Sequence, residues 1–140
     1  MPLSRTSVLL VEDDPGIREA LADLLELLGA RVEVAVDGED GWEILHDAGL
    51  RPTLVLLDLF LPRLDGVALL GRIRADARLR SLAVVTMSAA VKERPPGADG
   101  HLEKPFDLER LVSVVRAFCP PQAVEPGRAQ RMAAGQAARN

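Results

Sequence analysis

Four places in this 140-residue chain carry side chains able to act together: Glu12, Asp13 and Asp14 close the apolar run 8–11, Asp58 closes 53–57, Ser88 closes 82–87, and Lys104 precedes Pro105. Carboxylates gathered at one point repel. Two such charges about 4 Å apart cost roughly 4 kcal/mol at an effective dielectric of about 20, so the group calls for a cation or raised pKa values. Mg²⁺ suits it, because that ion takes few carboxylates, keeps several waters and bridges protein to phosphate. A carboxylate set against a divalent ion and a lysine can attack phosphorus and become an acyl phosphate, since the two cations offset charge on the transferring oxygens. Asp58 is then the nucleophile, Lys104 the fixed positive charge, and Ser88 a rotatable hydroxyl that donates to a phosphoryl oxygen.

These residues meet only if the elements carrying them are arranged to bring them together. Residues 8–11 and 53–57 are continuous apolar runs, which suit strands buried on both faces. Residues 31–36 alternate polar and apolar, as a half-exposed edge strand does. Residues 82–87 and 101–103 complete five expected strands. Between them, Asp14-Pro15 caps a helix with Ile17, Leu21, Leu24, Leu25 and Leu28 on one face and Gly29 as its stop. Asp37 caps a second helix carrying Trp42 and Leu45, Asp65-Gly66 leads into a third through Val67, Leu70 and Ile73, and Asp107 starts a last one through Leu108, Leu111, Val112, Val115 and Phe118. Alternating strands and helices imply a doubly wound α/β fold, a parallel sheet with right-handed crossovers and helices on both faces. In such sheets sites form outside the carboxyl ends of the strands, where all four places fall.

The segments LLVEDDPGIREAL, LVLLDLFLPRLDG, VVTMSA and GADGHLEKPF resemble, in order and spacing, the successive motifs of the response-regulator receiver domain of two-component signalling, over roughly residues 7–118. The resemblance implies a flavodoxin-like five-stranded sheet in the order 2-1-3-4-5. It also implies Glu12 and Asp13 as the pair that holds Mg²⁺ with Asp58 and the backbone carbonyl of Phe60. Asp58 becomes the phosphoacceptor, Ser88 the switch hydroxyl and Lys104 the phosphate-contacting lysine, with a cis bond expected at Lys104-Pro105. His101 falls where receivers place an aromatic whose rotamer reports phosphorylation; a simple exposed histidine is the alternative. Thr86 competes with Ser88 for the hydroxyl role, but Ala89 follows Ser88 as a small residue follows the switch hydroxyl. The implied partners are a sensor histidine kinase or phosphotransfer protein and a separate output protein. The implied activity is that of a signalling phosphoacceptor, not an enzyme on other substrates, which catalyses only its own phosphorylation and slow dephosphorylation.

One departure stands out. Lys104 follows Ser88 by only 16 positions (104 − 88), about one and a half helical turns fewer than a receiver needs. With Pro95, Pro96 and Gly97 inside it, the stretch is expected to be irregular, with the fourth helix of the family short or missing.

Composition narrows the alternatives. A formal charge of −4 and a pI near 5.2 argue against a general basic surface for nucleic acid. No apolar run approaches the roughly 18 residues of a membrane span, and the N-terminus lacks a signal-peptide core, so the cytoplasm is expected. The single cysteine, Cys119, allows no internal disulfide and is expected as a reduced, near-surface thiol at a helix end. Residues 1–6 are expected as an N-terminal extension, 7–119 as the domain and 120–140 as a flexible tail; the oligomeric state is left open. Two other functions compete. One is a module of this fold that binds partners without phosphorylation, and the other is a phosphohydrolase with an aspartate nucleophile. The latter normally has a second acidic residue two positions on, where this chain has Phe60.

Overall fold

A computed structural model describes residues 6–119. The expected tail, 120–140, and residues 1–5 lie outside the described residues. The elements run β1 (Ser7–Val11), α1 (Pro15–Leu27), β2 (Arg31–Ala35), α2 (Gly38–Trp42), β3 (Leu54–Asp58), α3 (Gly66–Ala75), β4 (Ala83–Ser88), β5 (Gly100–Glu103) and α4 (Leu108–Phe118). All strands pair in parallel, in the order β2-β1-β3-β4-β5. The expected architecture is present.

Side-chain parity explains why the central strands are apolar throughout. Val8, Leu10, Leu54, Leu56, Val85 and Met87 point to one face and pack with Leu21 and Leu25 of α1 and Leu111 and Val115 of α4. Leu9, Val11, Val55, Leu57 and Val84 point to the other, under Leu45 beyond α2 and Leu69, Leu70 and Ile73 of α3. Both faces are covered, so every position in these strands loses water, and each fully buried aliphatic side chain contributes about 1.5–3 kcal/mol. The edge strand β2 is more exposed than the central strands, with Arg31, Glu33 and Val34 exposed and only Ala35 buried.

Aspartates cap four helices, each accepting an N–H three residues on: Asp14 from Ile17, Asp37 from Asp40, Asp65 from Ala68 and Asp107 from Arg110. Gly29 stops α1 at φ 101°, a conformation favouring glycine, while its N–H bonds the Glu26 carbonyl. The second helix is not uniform: after Trp42 it widens into a π-type turn, Glu43–Asp47. There Trp42 stacks on His46 at 4.7 Å and lies 5.5 Å from the Arg72 guanidinium of α3.

One expectation needs correction. Cys119 is not near the surface: it is 1% exposed and packed into the α1–α4 side of the core, and burial pushes its thiol up to about 11. Thr6, just before β1, is buried, and its carbonyl accepts the N–H of Arg31 at the start of the β1–β2 pairing.

Residues 89–99 form no helix, as the short spacing requires. They are nevertheless tied down. Arg74 of α3 donates from Nε to the Gly97 carbonyl (2.7 Å), from Nη1 to the carbonyls of Arg80 (2.9 Å) and Leu82 (2.7 Å), and from Nη2 to Asp99 Oδ2 (2.9 Å). Asp99 Oδ2 in turn accepts the N–H of Val84 at 2.8 Å. One arginine therefore joins α3, the approach to β4 and the end of the irregular strap.

Candidate functional site

The order β2-β1-β3 places the reversal of strand order between β1 and β3, and their carboxyl ends diverge into the β1–α1 and β3–α3 loops. Glu12 is the residue after β1 and stays in the ladder through its N–H to the Ala35 carbonyl (3.1 Å). Asp58 ends β3, opposite Met87 of β4, and Ser88 is the next residue along. Lys104 follows β5 and is held to the end of β4 by its N–H on the Ser88 carbonyl (2.9 Å). The Lys104–Pro105 bond is cis.

Glu12, Asp13 and Asp58 each place a carboxylate oxygen within 4.8 Å of the others. Glu12 and Asp58 are buried, and Asp13 is exposed at the rim. Lys104 Nζ bridges the two buried acids, 2.7 Å from Glu12 Oε1 and 3.0 Å from Asp58 Oδ2. Asp58 Oδ1 accepts the backbone N–H of Phe60 at 3.0 Å, so both oxygens of this carboxylate are oriented. Glu12 Oε2 is buried with no hydrogen-bond partner among the described residues.

The electrostatics follow from this crowding. Burial, reinforced by Asp58, pushes Glu12 up to about 7, against the lowering pull of Lys104. Burial alone would lower the Lys104 ammonium, but its bonds to Glu12 and Asp58 outweigh that and hold it above the ordinary lysine value. Three carboxylates, one with an unpartnered buried oxygen, exceed what a single lysine satisfies. The donor set is all hard oxygen, so the residues fit a small divalent cation such as Mg²⁺, with Glu12, Asp13 and Asp58 as the side chains that would hold it.

Ser88 is buried, and its Oγ accepts the N–H groups of both Ala90 and Val91 at 3.0 Å. With its acceptor capacity occupied, the hydroxyl hydrogen is left to donate. Thr86 lies elsewhere: fully buried, its Oγ1 is 2.6 Å from His101 Nδ1. His101 is not the simple exposed residue of the alternative reading, for its Nε2 donates to the Val91 carbonyl at 2.6 Å. Val91 is thus held at its N–H by Ser88 and at its carbonyl by His101.

Two contributors were not assigned to the site from sequence. Gly66, taken only as a helix start, is in close approach: a Cβ there would lie 2.2 Å from the Asp58 carbonyl oxygen and 2.6 Å from Leu59 Cα. The signal was the Asp65-Gly66 step itself, which turn chemistry alone also explains. Arg18 folds back from α1 to the carbonyls of Glu12 (2.9 Å) and Asp13 (3.3 Å), and no local pattern announces that contact.

A parallel five-stranded fold with an acidic pocket, a lysine and a serine at its strand ends defines a receiver-type domain. The chain belongs to the response regulator receiver domain family of two-component signalling, which matches residues 8–116. It is 36% identical over 117 residues to the DNA-binding dual master transcriptional regulator RpaA of Synechocystis sp., covering 79% of this chain and 48% of that one. To the response regulator MprA of Mycobacterium sp. strain KMS it is 38% identical over 115 residues, covering 79% and 49%. The chain therefore spans about half the length of the curated relatives it matches. Among solved structures it resembles the receiver domain of the sensor histidine kinase PA1611 of Pseudomonas aeruginosa, which has a magnesium ion coordinated in its active-site cleft; the TM-score is 0.75 at 27% identity, covering 81% of this chain and 97% of that one. Among the described residues no helix is long and apolar enough to cross a membrane.

Proposed function

We propose that this chain is a phosphoacceptor switch: Asp58 takes a phosphoryl group from a phosphohistidine of a sensor kinase or phosphotransfer protein, and the modified domain changes its hold on an output partner. The observation that carries this reading is the Lys104 ammonium bridging Glu12 Oε1 and Asp58 Oδ2 while Glu12 Oε2 stays unpartnered. An oxygen of Asp58 attacks phosphorus, the P–N bond breaks, and its electron pair returns to the donor imidazole, which takes a proton from solvent. Mg²⁺, when bound by Glu12, Asp13, Asp58 and the Phe60 carbonyl, supplies positive charge against the transferring oxygens.

Lys104 already contacts the acceptor, so it needs little movement to meet a phosphoryl oxygen. An apolar groove beside it, lined by Ile17, Ala20, Leu21, Ala89, Pro105 and Phe106, suits the body of a donor protein. Ser88 turns its O–H to the phosphoryl group and in doing so loads the N–H groups of Ala90 and Val91. Val91 passes that pull to His101, so the strap 89–99 is where the change is read. The domain acts in the cytoplasm as a signalling acceptor and not as an enzyme on other substrates. Phe60 supports that distinction, since its backbone N–H serves Asp58 and its apolar side chain offers no second acid.

The test is incubation of the wild type and Asp58→Ala with Mg²⁺ and phosphoramidate, read as added phosphoryl mass on the intact chain. The wild type gains one phosphoryl group and Asp58→Ala gains none. Equal labelling of the two proteins would sink the proposal.

A further inference from the structure

We infer that Arg18 is a positioning residue for the acidic pair, holding Glu12 and Asp13 in the arrangement that takes a divalent cation; this rests on the Mg²⁺ reading above. Arg18 stands in the first turn of α1, where its own N–H bonds the Asp14 carbonyl at 2.8 Å. Its Nη1 reaches back to both the Glu12 carbonyl (2.9 Å) and the Asp13 carbonyl (3.3 Å). The Glu12 N–H is meanwhile fixed on the Ala35 carbonyl at 3.1 Å. The peptide units around the pair are therefore gripped from the sheet on one side and from a guanidinium on the other.

The grip matters because of which torsions it blocks. Three carboxylates within 4.8 Å of one another repel, and the short link between β1 and α1 relieves that by rotating ψ at Glu12 and Asp13. Rotation of ψ swings the carbonyl oxygen of the same residue. Anchoring both oxygens on one cation closes that escape, and the positive charge also lowers the cost of keeping the pair together. Arg18 is oriented away from ligand duty by these contacts, so it acts on the metal through the backbone of its ligands.

The experiment is calorimetric titration of the full chain with MgCl₂ for wild type, Arg18→Met and Arg18→Lys. Urea midpoints and the ¹³C carbonyl shifts of Glu12 and Asp13 are measured on the same metal-free proteins. Arg18→Met is expected to bind Mg²⁺ about tenfold more weakly, the scale typical of removing an outer partner of a ligand. Its two carbonyl resonances shift, its urea midpoint stays close to wild type, and Arg18→Lys recovers part of the affinity. If the methionine variant does not fold, the lysine variant decides, with an expected loss of roughly threefold on the same scale. Wild-type affinity in the deciding variant overturns the inference alone, as does a weakening that tracks a fallen midpoint and is not recovered by lysine. A wild-type chain that takes no Mg²⁺ overturns the metal reading and this inference with it.

Discussion

At the scale of single residues, Glu12 is the least comfortable side chain among the described residues. It is 1% exposed, shares Lys104 with Asp58 and leaves Oε2 without a partner. Burial first, then Asp58, pushes it up to about 7 from an ordinary 4.5. Between those values the folded chain holds a proton that the unfolded chain has released, so metal-free stability declines as pH rises through that interval. Below about pH 4.5 the contribution is fully present, and above about 7 it is gone, an upper bound of roughly 3 kcal/mol for a shift of this size. Urea denaturation of the metal-free protein at pH steps from 5 to 8 is expected to show that decline, and Glu12→Gln, neutral at every pH, to flatten it. A wild-type profile as flat as that of the variant would mean that Glu12 is ionised throughout, its charge absorbed by Lys104. Gly66 shows the opposite kind of constraint, where the absence of a side chain is what lets α3 start against the Asp58 carbonyl.

At the scale of elements, the strap 89–99 replaces a helix and is held by side-chain bonds where a helix would be held by its own backbone. The Arg74 fan to Gly97, Arg80, Leu82 and Asp99 carries most of that load at one end, and Ser88 and His101 carry it at the other. Because the Arg74 side chain is partly exposed, its charged bonds count at the low end of their range, and Arg74→Met is expected to cost about 2–3 kcal/mol. Amide exchange should quicken through 92–99 while β1 and β3 keep their protection; stability within about 0.5 kcal/mol of wild type would show the fan to be incidental. The missing helix was legible in the spacing of Ser88 and Lys104, and the strands in their apolar or alternating runs, with one or both ends moved by one residue in all five. Glu12, Asp13, Asp58, Ser88 and Lys104 were legible because parallel topology sends every strand's carboxyl end to one edge. Arg74 and Arg18 were not, since a long polar side chain bonding distant carbonyls leaves no periodic trace. The burial of Cys119 escaped for a related reason: it follows the last helical residue, and only the packing of α4 against α1 decides which way it faces.

At the scale of the whole molecule, the proposed Mg²⁺ site in the acidic pocket is expected to couple a small ion to the stability of the entire fold. Its carboxylates come from positions 12, 13 and 58, at the ends of strands that are neighbours only when the sheet is assembled. The unfolded chain offers no such site, so Mg²⁺ taken up as proposed would bind the folded form alone and is expected to shift the folding equilibrium by mass action. At a hundredfold excess over its dissociation constant the ion adds about 2.7 kcal/mol. For a domain of this size that corresponds to a rise in Tm of roughly 10 °C. The chain carries a formal charge of −4, and any salt eases its self-repulsion, so the comparison belongs at constant ionic strength with NaCl as the balance. Scanning calorimetry of wild type and Asp58→Asn under those conditions separates the two effects, because the substitution removes a ligand charge from the pocket and leaves the rest of the surface alone. The wild type should gain its rise from Mg²⁺ and the variant only a small fraction of it. Equal rises in both would place the ion on the surface at large and detach the pocket from the stability of the fold.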